Sequence, residues 1–313
     1  MAHFLARRLA LAAPLLLSAC AVPVDGSTPA GQSALPIING DDCSPAVHPT
    51  AVAVITDAFL TSGFGDFPIR AVSCTGTLIA PDVVLTAAHC LDPSLLTFGL
   101  GEAEDLSYLV SFQSDLEYMS YTSGDDLPDF PADAVDAAGW IAHPEFDVQE
   151  LNDLGGPGDF HDIGLIFLNE ALDLRPALVI DASEVDQITV DADVSIAGWG
   201  QQVQLSSPFE APPPGTVGIK KCGDTFINEV GDAEMQIGAG EDTVRKCHGD
   251  SGGPTYMRVE TEHADDLRVI GVTSHAYDQE DCNKGGVDTR VDAHLAWLDE
   301  QLRAACEDGT RVW

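Results

Sequence analysis

From residue 37 onward, apolar residues come in short runs separated by turn-forming residues. AVAVI (51–55), GTLIA (76–80), VVLTAA (83–88), IGLIFL (163–168), VSIAGW (194–199) and LRVIGVTS (267–274) are rich in Val, Ile, Thr and Leu. Runs this short, bounded by Gly, Pro, Asp and Ser, predict β-strands, and their number predicts an all-β barrel or sandwich. The pattern changes in VDAHLAWLDEQLRAA (291–305), where apolar positions fall at helical spacing with no Gly or Pro. One amphipathic C-terminal helix is expected there. Residues 101–160 are acidic and rich in Gly and Pro, and read as long surface loops. Before residue 37 the pattern differs again. Arg7 and Arg8 precede the apolar run LALAAPLLL (9–17), which is too short to span a bilayer and reads as a targeting segment. Residues 21–36 are rich in Pro, Gly, Ser and Ala and read as a flexible tether.

Composition narrows this picture. The 313 residues suffice for one large domain or two small ones, and 45% apolar content supports a sizeable core. The formal charge is −37, from 51 acidic against 14 basic residues, which argues against a nucleic-acid partner. Residues 71–174 contain no Lys or Arg, and within them the acidic residues 101–160 read as a solvated face. Carboxylates of that kind could take calcium, but their spacing matches no calcium loop, so no ligand and no cofactor is assigned. The targeting segment ends in LSAC (17–20), similar to a bacterial lipobox in which Cys20 is lipidated; ordinary signal-peptide cleavage nearby is the alternative. Either way the chain is expected to be exported, as a cell-envelope lipoprotein or a secreted protein. A lipid would anchor it to a membrane without threading it through. Exported cysteines tend to pair. After Cys20 there are seven, Cys43, Cys74, Cys90, Cys222, Cys247, Cys282 and Cys306, so at least one is free or intermolecular.

In KCHGDSGGP (246–254), Ser251 lies among glycines with Asp250 directly before it. A Gly-rich surface turn is one reading and a serine nucleophile is the other. A serine hydroxyl needs a neighbouring base, and the base needs an orienting carboxylate. His89 ends the apolar run of LTAAHC (85–90), and Asp162 opens the strand IGLIFL. The other histidines, His48, His143, His161, His248, His263, His275 and His294, show no paired spacing for a helical metal site, and there is no CxxC. They read as structural, and no metal is expected.

Taken together, TAAHC (86–90), HDIGLIFL (161–168) and GDSGGP (249–254) resemble the trypsin/chymotrypsin-like serine proteases. IING (37–40), AGWG (197–200), GVDTRV (286–291) and Trp297 extend the resemblance over nearly everything after residue 36. It implies two six-stranded antiparallel β-barrels with a C-terminal α-helix. The domain plan it implies is a signal peptide with lipobox (1–20), a tether or propeptide (21–36) and a protease domain (37–313). Within that domain the first barrel would cover about 37–175, the second about 176–290 and the helix about 291–305.

The resemblance makes Ser251 the nucleophile, His89 the base and then acid, and Asp162 the orienting carboxylate. The amides of Gly249 and Ser251 would form the oxyanion hole. Cleavage before Ile37 would free an α-amino group to pair with Asp250, as in zymogen activation. Pro36 before that cut departs from the Lys or Arg often found there. The implied bridges are Cys74–Cys90, Cys247–Cys282 and Cys43–Cys222, leaving Cys306 over; Gly238 stands where the family often has another cysteine. At the base of the specificity pocket, where trypsins carry an aspartate, the chain has Arg245, followed by Lys246. Asp288 or a substrate carboxylate is the expected partner of Arg245. Ser274, Ala276 and Gly286 match pocket walls, and His275 stands where tryptophan is usual. The expected function is a secreted or lipid-anchored serine endopeptidase acting on protein or peptide substrates after cutting by an activating protease. The alternative is a non-catalytic, protease-like surface binding protein.

Overall fold

The apolar runs become strands of two closed sheets. The computed structural model describes residues 36–62, 65–96, 101–120, 126–150, 156–203, 213–261, 266–278 and 281–313. The expected signal peptide, Cys20 and all but the last residue of the tether lie outside the described residues. The first sheet comprises β2 (Ala51–Ser62), β3 (Gly65–Ala80), β4 (Val83–Thr86), β5 (Gly101–Ser111), β6 (Val135–Ala142) and β7 (Gly164–Leu168). It closes in the order β2-β3-β4-β7-β6-β5. β4 and β7 are buried along their whole length, which is why VVLT and GLIFL read as unbroken apolar runs.

The second sheet contains β9 (Asp193–Gly198), β10 (Lys221–Val230), β11 (Glu234–Ile237), β12 (Pro254–Arg258), β13 (Leu267–Ala276) and β14 (Gly286–Arg290). Pairing of β9 with both β10 and β12 closes it into a second six-stranded antiparallel barrel. Two short strands are added: β1 (Asp41–Asp42) pairs with β10, and β8 (Leu178–Val179) runs parallel to β13.

Three details correct the reading of the sequence. Residues 101–160 are not only loops, because they carry β5 and β6. In β5 the acidic half is exposed and the last four residues are buried, so surface carboxylates mask the strand signal. Residues 41–42 join the second barrel, not the first, next to the Cys43–Cys222 disulfide. The helix runs Leu295–Asp308, after a 3-10 turn at Asp292–His294 that takes up the expected first turn.

Beyond the helix the chain returns to the first barrel. Asp82 is fully buried. It accepts hydrogen bonds from Arg311 Nη2 (2.7 Å) and Nε (3.1 Å) and from the amides of Val312 (2.9 Å) and Trp313 (3.0 Å). Among the described residues no helix is long and apolar enough to cross a membrane.

Candidate active site

Asp162 is presented by a tight turn. His161 just before it has φ 51, and the Ile163 amide bonds back to the His161 carbonyl at 2.8 Å. The Asp162 carboxylate, fully buried, is thereby aimed at His89. His89 Nδ1 lies 2.7 Å from Oδ2, and the His89 amide donates to Oδ1 at 2.8 Å. Ser274 Oγ, from the second barrel, donates to Oδ2 at 2.6 Å, and Thr289 Oγ1 donates to the Asp162 carbonyl at 3.0 Å. Burial opposes charge on both groups, but their mutual attraction prevails: the His89 pKa is raised and the Asp162 pKa is lowered. The pair is therefore suited to stabilising an imidazolium.

Ser251 is brought to this place by close backbone approach. Its carbonyl accepts from the Thr75 amide at 2.8 Å, and Thr75 adjoins Cys74, which is disulfide-bonded to Cys90 beside His89. A Cβ on Gly252 would collide with Thr86 Oγ1 and the Thr75 carbonyl, so only glycine permits this contact between the barrels. Gly249 has φ 90, and a Cβ there would lie 2.9 Å from Gly200 Cα. The Gly249 and Ser251 amides donate to no acceptor among the described residues. His89 Nε2 lies 3.7 Å from Cys90 Sγ and has no hydrogen bond to Ser251 Oγ; catalytic bonds of this kind often close only with substrate.

Asp250 is nearly fully buried and accepts from the amides of Gly200 and Cys247, each at 3.0 Å. A Cβ on Gly198 or Gly200 would strike this carboxylate, which accounts for the AGWG motif. Burial raises its pKa to about 6 against those two bonds, and no cation pairs with it among the described residues. Nearby, Pro36–Asn39 makes one irregular turn in which Ile37 is fully buried with φ 38, ψ 104. Ile38 bridges to Arg245, and Asn39 Nδ2 donates to the carbonyls of Glu241 and Thr243 at 2.9 Å.

The pocket region corrects one expectation. Asp288 does not pair with Arg245. Lys246 Nζ takes it instead, at 2.8 and 2.7 Å from its two oxygens, with Thr255 Oγ1 also bonded to both partners. Lys246 and Asp288 are fully enclosed, so each is the other's necessary counter-ion. Arg245 turns to neutral oxygens: Nη1 donates to the carbonyls of Gly240 (3.1 Å), Glu241 (2.9 Å) and Thr243 (3.1 Å), and Nη2 to Asn283 Oδ1 at 2.6 Å. Its Nε is buried without a partner. Ala276 lies opposite Gly286 across β13 and β14. Ser274 spends its hydroxyl on Asp162, a job that its place in VTSHA did not reveal. His275 Nδ1 lies 3.0 Å from Ser274 Oγ, and burial lowers the His275 pKa to about 4.

The disulfides are Cys43–Cys222, Cys74–Cys90 and Cys247–Cys282, with Cα separations of 5.4, 6.1 and 5.7 Å. Cys306 is exposed and joins no disulfide among the described residues. Three histidines read as structural, His143, His161 and His294, meet in one cluster. No spacing signal could have found it, because the three come from separate elements.

The trypsin family model matches residues 37–298. The chain is 26% identical to a trypsin of Saccharopolyspora erythraea over 271 residues, covering 86% of this chain and 99% of that one. It is 26% identical to a trypsin of Phaedon cochleariae over 240 residues (73% and 78%). It is 27% identical to kallikrein-4 of Homo sapiens over 233 residues (74% and 76%).

Proposed function

The chain belongs to the trypsin family, which makes it a serine endopeptidase, and on that premise we propose that Ser251, His89 and Asp162 are its catalytic triad, in a precursor activated by cleavage before Ile37. The observation that carries this reading is the seating of Asp162, which accepts two bonds from His89 and one each from Ser274 and Thr289. His89 takes the proton of Ser251 as its oxygen attacks the peptide carbonyl. The oxyanion settles on the amides of Gly249 and Ser251, and losing one such donor typically costs roughly 3–4 kcal/mol of transition-state stabilisation. His89 then protonates the leaving amine, and water hydrolyses the acyl-enzyme by the same route in reverse.

Two features support activation by cleavage. Asp250 is a buried carboxylate without a cation, and a new α-amino group at Ile37 would supply one. Ile37, a β-branched residue, sits at φ 38, a strained value that a cut at its amide would release. Disulfides fit an extracellular setting. Lipidation at Cys20 would hold the precursor at a membrane, and cleavage before Ile37 would free the protease. With Arg245 where trypsins carry an acid, selection of Lys or Arg substrates is disfavoured. The test is labelling by a fluorophosphonate probe before and after cleavage at Ile37. Strong Ser251 labelling in the cut form alone is expected, and absence of labelling in both forms would favour the binding-protein alternative. Peptide-library cleavage by the cut form reads the pocket, and a dominant preference for Lys or Arg would overturn the reading of Arg245.

A further inference from the structure

His143 follows β6, His161 precedes β7 and His294 precedes the C-terminal helix, yet their rings meet on one side of the first barrel. His143 stacks on His161 with centroids 4.8 Å apart and planes 10° apart, and His294 meets both edge-on at 5.3 and 5.4 Å. One ring nitrogen from each lies within 4.8 Å of the others. His161 Nδ1 and His294 Nε2 are 3.2 Å apart. Two nitrogens bound tetrahedrally to one zinc, each about 2.0–2.1 Å from it, stand roughly 3.3 Å apart. We propose that His143, His161 and His294 form a binding site for a divalent transition metal of the zinc class, with a fourth position open to water.

The surroundings of the rings favour this. His294 Nδ1 faces the Arg290 carbonyl at 3.1 Å and must donate to it, so Nε2 offers its lone pair inward. His161 Nε2 faces the carboxylates of Asp159 (3.6 Å) and Glu145 (3.8 Å), which leaves Nδ1 turned to the cluster. A carboxylate behind an imidazole is the usual outer support of a ligating histidine. The Trp297 ring, 4.9 Å from His143, closes one wall. One contact is given up on binding: His143 Nδ1 accepts from the Glu145 amide at 3.3 Å, and either ring nitrogen can ligate only if that bond is lost. Three imidazoles select zinc, copper or nickel over calcium or magnesium, which prefer oxygen. Two other groupings of Cys and His, around His89 and His248, hold sulfurs already joined in disulfides.

The experiment uses the full chain carrying Ser251→Ala, to prevent self-digestion, titrated with Co²⁺ and Zn²⁺ alone. One equivalent should bind, with cobalt visible bands of a low-coordinate nitrogen site that zinc displaces. Zinc at a hundredfold excess over Kd should raise Tm by roughly 5–10 °C, and calcium should not. His161→Asn, chosen because Asn tolerates the left-handed backbone at this position, and His294→Gln should each weaken binding at least tenfold. His89→Ala should leave it intact. Melting without metal separates loss of ligand from loss of fold. Absence of a cobalt spectrum and a zinc shift in the parent overturns the proposal, as does binding that survives His161→Asn but disappears with His89→Ala.

Discussion

Both barrels close over aliphatic side chains, but the first buries its carboxylates, Asp82 and Asp162, at the ends of its strands, whereas the second also encloses cations. Val52, Val54, Leu78, Val83, Leu85 and Leu165 fill the first with no exposure at all. The second encloses Lys246, Asp288, Asp250, Glu234 and Arg245. The first barrel therefore serves as a rigid seat for the imidazole and its carboxylate, which it holds at its rim with backbone donors. The second carries the serine loop, and the Lys246–Asp288 pair beside that loop needs both of its members. Apolar packing tolerates many sequences of similar volume, while an enclosed ion pair tolerates few single changes.

The sharpest division between the barrels is catalytic. His89→Ala and Ser251→Ala should each reduce kcat by roughly 10⁴-fold or more, and the double variant should be little worse than either, because the residues act as a unit. Single-turnover kinetics on the cut enzyme check this, and additive losses would break the account of a shared crevice. Next in size, Lys246→Met alone or Asp288→Asn alone should cost about 3–5 kcal/mol by denaturant unfolding, and an apolar pair at both positions should recover most of that. Leu85→Ala in the first barrel should cost about 2–5 kcal/mol, with no partner substitution able to rescue it.

Gly249→Ala should lower kcat by roughly 10²-fold, through lost oxyanion geometry, and cost about 1–3 kcal/mol of backbone strain at φ 90. A further effect lies in the pH dependence of stability. Burial raises the pKa of Glu234 to about 8 despite the bond it accepts from the Gly158 amide. The folded state thus keeps a proton that the unfolded chain releases near its ordinary 4.5, so this group's contribution to stability falls as pH rises from about 4.5 to 8. Glu234→Gln should flatten the Tm profile across that window, and an unchanged slope would remove Glu234 from the comparison.

The two-barrel architecture was legible because strand length, turn residues and the three motif stretches all pointed one way. β5 and β6 were not, because each carries a bulge that breaks the period of two, at Asp105 (φ 50) in β5 and between Ala137 and Gly139 in β6. Disulfide partners could be read only through the resemblance, since spacing allows many connectivities. The choice of Lys246 over Arg245 as the partner of Asp288 was hidden because adjacent residues on a bent segment point in different directions. The three-histidine cluster was hidden for a related reason: residues 143, 161 and 294 converge through topology, and no local period records that.

The clasp of residues 311–313 on Asp82 has a practical side. Removing the Arg311 side chain would leave an enclosed carboxylate without the guanidinium that faces it. Arg311→Ala should therefore loosen the sheet that seats His89, and a fall in Tm would report it.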